Sequence, residues 1–208
     1  MDNIEQRSED WFAIRLGKAT ASNVHKVLAK TKTGYGADRA NYLTQLVLER
    51  VTGSKADGYT NAEMQWGIDQ EPFARAAYEA HKGVLVDEVG FLQHPTIEMS
   101  GASPDGLVGN DGMVEIKCPS SKTALECWLA ADPVEFKYFA QMQWQMACAG
   151  RIWCDYVVFD PRMPAKAQLF VHRVMRDDQW IKATEVEVKK FLAEVDAKVE
   201  ALRKIIGE

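Results

Sequence analysis

The feature that most constrains the fold is a pair of charged residues, Glu115 and Lys117, inside an otherwise apolar run. Their neighbours in the sequence are Met113, Val114, Ile116 and Cys118. Such a run predicts a central strand, where a charged side chain is costly to bury unless a partner or a metal ion offsets its charge. We therefore expect the fold to bring such a partner to this strand.

A second carboxylate, Asp105, lies upstream in a Ser-Pro-Asp-Gly motif, and the intervening Gly-Asn-Asp-Gly sequence predicts a hairpin between the two segments. Glu115 and Lys117 are two residues apart and therefore share one face of their strand. For Asp105 to share that face, the hairpin must centre on Asn110 and have a loop of odd length, such as residues 109–111, or an equivalent bulge.

These three side chains can carry metal-dependent chemistry. Two carboxylates on neighbouring strands can share a hard divalent cation, and a nearby ammonium group can stabilise the charge that develops during phosphate hydrolysis. Taken singly, the residues have simpler explanations, because an Asp between Pro and Gly is typical of a turn and Glu-x-Lys is typical of an exposed strand face. Taken together, they favour a site for phosphodiester hydrolysis.

Hydrophobic periodicity predicts helices and strands in a mixed order. The predicted helices cover residues 11–15, 20–29, about 14 residues ending at Gly53, 61–83, 133–149 and 177–206. Pro72 must kink or split the fourth of these close to Ile68. The predicted strands cover residues 84–86, 90–93, 106–108, 113–118, 153–159 and 169–174, and the basic segment 30–38 is predicted to be a flexible loop.

This order predicts an α/β fold with a small central mixed sheet flanked by helices. The length of 208 residues is that of one domain. We predict a single domain over residues 1–208, with a helical N-terminal part (1–83), a catalytic sheet core (84–175) and a C-terminal helix (177–206).

The distribution of charge qualifies the net charge of −5, which argues against a nucleic-acid partner when taken alone. Residues 11–39 carry six basic side chains and one acid, for a local charge of +5, whereas residues 51–150 carry six basic and fourteen acidic side chains, for −8. An acidic centre beside a basic flank suits a metal-dependent phosphodiesterase. On charge alone, ordinary solvated faces remain the simpler explanation.

Several other classes of protein are disfavoured. No run approaches the roughly 18 apolar residues of a membrane span, and the first residues are acidic and polar, so we expect a cytoplasmic protein without a membrane partner. The four cysteines have no CxxC spacing, which disfavours disulfides and structural zinc. The four histidines have no HxH or HExxH spacing, which disfavours a zinc hydrolase. They are His25, His81, His94 and His172.

With these residues the chain resembles the PD-(D/E)XK nuclease superfamily and, within it, the phage lambda exonuclease family of YqaJ-type viral recombinases. Beyond SPDGL and VEIKCP, the resemblance includes RLGKATASNVHKVLAK (15–30), WGIDQE (66–71), YFAQMQWQM (138–146) and FDPRM (159–163). It extends from Trp11 to about Arg173 and implies a restriction-endonuclease-like core.

The resemblance also implies roles for individual residues. Asp105 and Glu115 would be ligands of one or two Mg²⁺ ions, for which Mn²⁺ can substitute, together with the backbone carbonyl of Ile116. Lys117 would orient and activate the attacking water. Glu71 would bind through water or hold a second ion, although taken alone it is typical of a surface helix residue.

Four further residues correspond to functional positions of the family. Gln143 matches an active-site glutamine, but it also falls on an apolar helical row, where a core glutamine bonded to backbone is the alternative. A pocket for the 5′-phosphate would be formed by Arg15, Ser22 and Ser103, since a guanidinium and two hydroxyls suit a phosphate dianion. Met64 corresponds to an apolar residue that wedges between the strands at the duplex end.

The function implied is a Mg²⁺-dependent 5′-to-3′ exonuclease of double-stranded DNA, which releases mononucleotides and leaves 3′ overhangs for phage-type homologous recombination. The family forms ring-shaped homotrimers around DNA and works with a single-strand annealing protein, in the cytoplasm of a bacterial host that carries the phage or prophage. Two alternatives remain. A restriction-like endonuclease would cut closed circles, and an idle DNA-binding subunit would bind without turnover.

Overall fold

A computed structural model of the protein describes residues 4–55 and 61–207. Within these ranges the α-helices are α1 (Glu9–Arg15), α2 (Val24–Val27), α3 (Ala37–Thr52), α4 (Ala62–Lys82), α5 (Ser121–Leu129), α6 (Phe136–Ala149) and α7 (Asp178–Ile206). The strands are β1 (Ala19–Thr20), β2 (Lys30–Thr31), β3 (Gly34–Tyr35), β4 (Val86–Asp87), β5 (Leu92–Gln93), β6 (Ser100–Ala102), β7 (Gly106–Val108), β8 (Gly112–Lys117), β9 (Trp153–Phe159) and β10 (Leu169–Met175). In the described part of the chain no helix has the length and apolar character needed to cross a membrane.

The central sheet has five strands in the order β10-β9-β8-β7-β4. β8 pairs in parallel with β9, while the other neighbours pair antiparallel, so the sheet is mixed. β8 is its middle strand, as the sequence predicts, and residues 112–116 are all buried. The predicted α/β class with a small central mixed sheet flanked by helices is confirmed. The single-domain organisation stays a prediction.

Helices cover both faces of this sheet, because alternate side chains of β8 point to opposite faces. Val114 and Ile116 pack with Tyr78 of α4 on one face. Met113 packs with residues of α5 and α6 on the other. Since Glu115 is two residues from Met113, its side chain also faces α6.

A second sheet, with the strand order β1-β6-β5, connects the N-terminal helices to the central sheet. It borders a core formed by α2, α3, α6 and α7, in which Trp144 is fully buried. The Trp144 indole N–H donates to Ser100 Oγ at 3.0 Å, and the Ser100 hydroxyl donates to the Ala19 carbonyl at 2.6 Å. Because β6 leads into the turn that carries Asp105, this core fixes the approach to the β7-β8 hairpin.

Most predicted elements are present with the expected ends. The observed bounds match the predicted segments within a few positions for four helices and one strand: α1, α3, α6, α7 and β9. The side chains of Ser8, Asn61 and Asp177 accept backbone N–H bonds at the starts of α1, α4 and α7. Gly53 ends α3 in a left-handed conformation.

The structure differs from the predictions in several segments. The helix predicted over 20–29 is a 3-10 turn (Ala21–Asn23) followed by the short α2, and the predicted loop 30–38 contains the hairpin β2-β3. Helix α4 runs through Pro72 without being split, because caps at both ends and packing of its buried residues outweigh one lost hydrogen bond. Helix α5 and strand β6 were not predicted, since β6 consists of small residues without a strand-like pattern.

The buried carboxylate of Asp155 ties α4 to the central sheet. It accepts the Tyr78 hydroxyl at 2.9 Å, and it accepts two hydrogen bonds from the Arg173 guanidinium at 2.7 and 2.9 Å. Burial raises the pKa of Tyr78, and the hydrogen bond to Asp155 adds to this effect. The bond therefore anchors the helix that carries Glu71.

We predict that Asp155→Ala lowers the free energy of unfolding by about 3 kcal/mol, because the substitution leaves the Tyr78 hydroxyl and the Arg173 guanidinium without their acceptor. Urea unfolding followed by tryptophan fluorescence measures the change. Glu126→Ala, which removes one partner of the exposed ion pair with Lys122, is the control and should change stability little. Equal stabilities of the two variants would contradict the anchoring role.

Candidate active site

The β7-β8 hairpin has the register that the sequence predicts. Gly106 pairs with Val114 and Val108 pairs with Gly112, which leaves residues 109–111 as a three-residue loop. Gly109 in this loop has a positive φ of 54°, a conformation that glycine adopts without strain. Continuing the register one step places Asp105 opposite Glu115. The predicted centre at Asn110 is confirmed.

The carboxylate of Asp105 is held at the start of the hairpin. Its Oδ2 accepts the backbone N–H of Ile116 at 2.7 Å. This bond fixes Asp105 beside the backbone of the strand that carries Glu115, so the two carboxylates are brought together as predicted.

Glu115 is 1% exposed, and polar groups surround its carboxylate. Oε1 accepts the Gln141 amide at 2.7 Å and the Lys117 ammonium, and Oε2 accepts the Gln145 amide at 2.7 Å. Both glutamines come from α6. The charge on the central strand is therefore offset by one cation and two amide donors, which is the partner that the apolar run around Glu115 required.

Burial and crowding perturb the charges of this cluster. Burial raises the pKa of Asp105, and the nearby carboxylates of Glu115 and Glu71 raise it further, while Lys117 partly counteracts them. Burial lowers the pKa of Lys117, but the attraction of Glu115 and Asp105 outweighs burial, so this pKa is raised. Three carboxylates thus share one small region with a protonated lysine.

Glu71 lies on α4 and is bonded to two arginines. Its Oε2 contacts Arg7, and its Oε1 accepts Arg75 Nη2 at 3.2 Å. The Glu71 side chain is mostly buried and lies close enough to Asp105 to influence its pKa. The structure thus brings Glu71 to the cluster, on the side where the chain segment before α1 passes.

Two observations bear on whether a divalent cation suits these residues. The amide oxygen of Gln145 is buried and has no hydrogen-bond partner among the described residues, so an acceptor is left for a water or an ion-bound group. Within residues 4–55 and 61–207, no three His, Cys, Asp or Glu side chains form a metal site by themselves. Mg²⁺ typically uses one or two carboxylates and completes its shell with other oxygens, which fits Asp105, Glu115 and a backbone carbonyl.

Gln143 does not join the cluster, and its assignment to the active site is corrected. Its amide N–H donates to the Met175 carbonyl at 2.8 Å, and its amide oxygen accepts the Asp177 N–H at 2.8 Å. Gln141 and Gln145, two positions away on either side, face Glu115 instead. A shift of two residues turns a side chain by roughly 200° around a helix, to the opposite face. The alternative of a core glutamine bonded to backbone is correct.

The predicted phosphate-binding residues line one pocket. Arg15 Nη1 and the Trp11 indole N–H both donate to Ser103 Oγ at 2.9 Å, and the Arg15 guanidinium lies 4.0 Å from the Trp11 ring centroid. Ser22 lines the same pocket, as does Gln141, which links the pocket to Glu115. The pocket therefore adjoins the carboxylate cluster.

Arg15 supplies positive charge to this pocket. Burial lowers its pKa to about 10, while the nearby Tyr42 and Glu49 act in the opposite direction, and the guanidinium stays protonated near neutral pH. Met64, in the first turn of α4, is 53% exposed and lines an adjoining pocket together with Arg15 and Ser22. The structure thus places Met64 at the mouth of the region that contains the arginine.

Sequence reasoning missed Gln141, Gln145, Arg7 and Trp11. The two glutamines are four residues apart, the spacing that places side chains on one helix face, and this spacing could have identified them as a pair. Nothing in the local sequence marks Arg7 or Trp11, because their positions depend on the way the segment before α1 docks against the hairpin.

Residues 10–152 match the family model of the YqaJ-like viral recombinase domain. The chain belongs to this family. It is similar to the crystal structure of an alkaline exonuclease, LHK-Exo, from Laribacter hongkongensis, with 48% identity, a TM-score of 0.89 and coverage of 96% of this chain and 98% of that one. The complex of LHK-Exo with dAMP gives 47% identity, a TM-score of 0.90 and the same coverage.

A more distant structure shares only the fold. A phage-related exonuclease from Haemophilus somnus 129PT is 15% identical, with a TM-score of 0.70 over 89% of this chain and 96% of that one. The comparison with curated proteins finds no significant match. The family and the fold are therefore established by the viral recombinase domain and by the two LHK-Exo structures.

We predict that Gln143→Ala lowers the free energy of unfolding by about 2 kcal/mol, because it removes a fully buried side chain and leaves the Met175 carbonyl and the Asp177 N–H without their partner. Gln65→Ala, which removes an exposed glutamine of α4 whose amide contacts Asp69, should change stability less. Denaturant unfolding of the two variants measures the difference. A loss of stability in Gln143→Ala no larger than in Gln65→Ala would contradict the assignment of Gln143 to the core.

Proposed function

We propose that this protein is a Mg²⁺-dependent 5′-to-3′ exonuclease of double-stranded DNA that releases mononucleotides and leaves 3′ single-stranded overhangs. Membership of the viral recombinase family and the 47% identity to an alkaline exonuclease support a nuclease. One observation carries the finer proposal: the pocket with Arg15, Ser22 and Ser103 adjoins the carboxylate cluster through Gln141. A site that holds a terminal phosphate beside the hydrolytic groups restricts cutting to DNA ends.

In this proposal Asp105, Glu115 and the backbone carbonyl of Ile116 hold the Mg²⁺ ion, and Glu71 binds a second ion or a coordinated water. A bound ion would supply Lewis-acid chemistry, which polarises a phosphate oxygen and makes water a stronger nucleophile. Mn²⁺, which also accepts oxygen ligands, can take the same place.

The protein groups position the reactants. Lys117, whose ammonium is held by Glu115, orients the attacking water and stabilises the negative charge that develops on the phosphate. Gln141 and Gln145 fix the plane of the Glu115 carboxylate by donating one amide hydrogen bond to each of its oxygens. Arg15 binds the 5′-phosphate by paired hydrogen bonds, while the hydroxyls of Ser22 and Ser103 complete the contacts.

Three further parts of the proposal rest on the family alone. We propose that the protein forms a ring-shaped homotrimer around DNA, that Met64 separates the strands at the duplex end, and that a single-strand annealing protein receives the overhang in the cytoplasm of a bacterial host. The solution mass, three times 23.4 kDa for a trimer, tests the assembly.

Digestion of linear duplexes tests the activity. We expect Mg²⁺-dependent loss of the 5′-phosphorylated strand, slower loss of a 5′-hydroxyl strand, and no digestion in EDTA or of closed circular DNA. Asp105→Asn should lower the rate by about 100-fold or more, because it removes a carboxylate from the proposed metal site.

The matched control is Asp111→Asn, an exposed change of the same kind at the tip of the same hairpin, which should keep the wild-type rate. Cutting of closed circular DNA would show that the protein is an endonuclease and would contradict the proposed exonuclease activity. DNA binding without turnover in any condition would leave a DNA-binding subunit.

A further inference from the structure

Arg7 has an unusual backbone conformation beside the candidate active site. Its φ is 71°, and among the described residues it is the sole non-glycine residue with a positive φ. Side chains other than glycine, asparagine and aspartate seldom adopt this left-handed conformation. When such a residue is kept at a functional site, its side chain is a candidate for a role there.

The segment around Arg7 is docked on both sides. The Gln6 side-chain amide donates to the carbonyls of Val89 and Pro104, both at 2.8 Å. Pro104 immediately precedes Asp105. On the other side of Arg7, the Ser8 hydroxyl caps α1 by accepting the Trp11 N–H at 3.2 Å. These contacts fix the backbone of Arg7 between the turn that carries Asp105 and the helix that carries Arg15.

The guanidinium of Arg7 connects the two halves of the site. Its Nη2 bonds to Glu71, and its Nε and Nη1 have no hydrogen-bond partner among the described residues. The Arg7 side chain is 44% exposed, and it lines the same pocket as Arg15 and Ser103. It therefore has donors left for a ligand in that pocket.

We propose that Arg7 is a specificity-determining residue that binds the 5′-terminal phosphate of the DNA together with Arg15. This inference rests on the proposed function. A terminal phosphate near neutral pH carries close to two negative charges, which two guanidinium groups match better than one. Arg15 is held in place by Trp11 and Ser103, whereas the more exposed Arg7 can turn from Glu71 toward the phosphate.

The rival role for Arg7 is purely structural, in which its bond to Glu71 only secures the N-terminal segment to α4. The two roles differ in what they predict for the variant Arg7→Gly. Glycine adopts the positive φ without strain, so this variant removes the guanidinium while favouring the same backbone conformation.

The test measures binding of short duplexes with a 5′-phosphate or a 5′-hydroxyl end by fluorescence anisotropy in EDTA, where no digestion occurs. We expect Arg7→Gly to lower the preference for the phosphorylated end by about tenfold, as for the loss of a charge-assisted hydrogen bond. Affinity for the hydroxyl end and the melting temperature should stay close to wild type. The control is Arg203→Ala, which removes an exposed guanidinium from α7. Alanine is used here because glycine would destabilise the interior of a helix.

Two outcomes would overturn the role of Arg7: a preference equal to that of the wild type, or an equal loss of affinity for both ends with a lower melting temperature. The variant Arg15→Ala distinguishes a failure of this inference from a failure of the proposed function. If Arg15→Ala loses the preference and Arg7→Gly keeps it, the phosphate pocket stands without Arg7. If the wild type has no preference for a phosphorylated end, both the proposed end recognition and the role of Arg7 fail.

Discussion

The buried carboxylate of Glu115 is the constraint on which the site depends. A charge in the middle of the central strand is costly unless donors and cations surround it. Lys117 on the same strand and two glutamines of α6 supply them, so the helix must lie over this face of the sheet in one rotational setting. The interactions that make the burial tolerable therefore also fix the geometry of the proposed active site.

The same helix joins the two parts of the proposed site. Gln141 contacts Glu115 and also lines the pocket that contains Arg15, while Trp144 on another face of α6 is buried in the core beside β6. Because β6 runs into the turn with Ser103 and Asp105, that core positions both a proposed phosphate ligand and a carboxylate. In this proposal, α6 and the core beside β6 position both the residues for end recognition and the residues for hydrolysis.

Local patterns in the sequence determine much of this structure. The apolar run around Glu115 predicts the central strand, and the Gly-Asn-Asp-Gly turn predicts a hairpin. The condition that Asp105 share the face of Glu115 then selects the register that the structure has. Matching a family motif identified a glutamine on α6 but selected Gln143, because only the packing of the helix shows which face meets the sheet. Long-range docking, such as that of Arg7 against Glu71 across 64 positions, leaves no local signal.

The central claim is that Asp105 and Glu115 form the site of a divalent cation. Titration of the protein with Mn²⁺, followed by the electron paramagnetic resonance signal of the free ion, tests this claim without DNA or turnover. The account predicts that the wild type binds Mn²⁺, that Mg²⁺ competes for the site, and that Asp105→Asn weakens binding by about tenfold or more. Equal binding by the wild type and Asp105→Asn, or no binding by either, would contradict it.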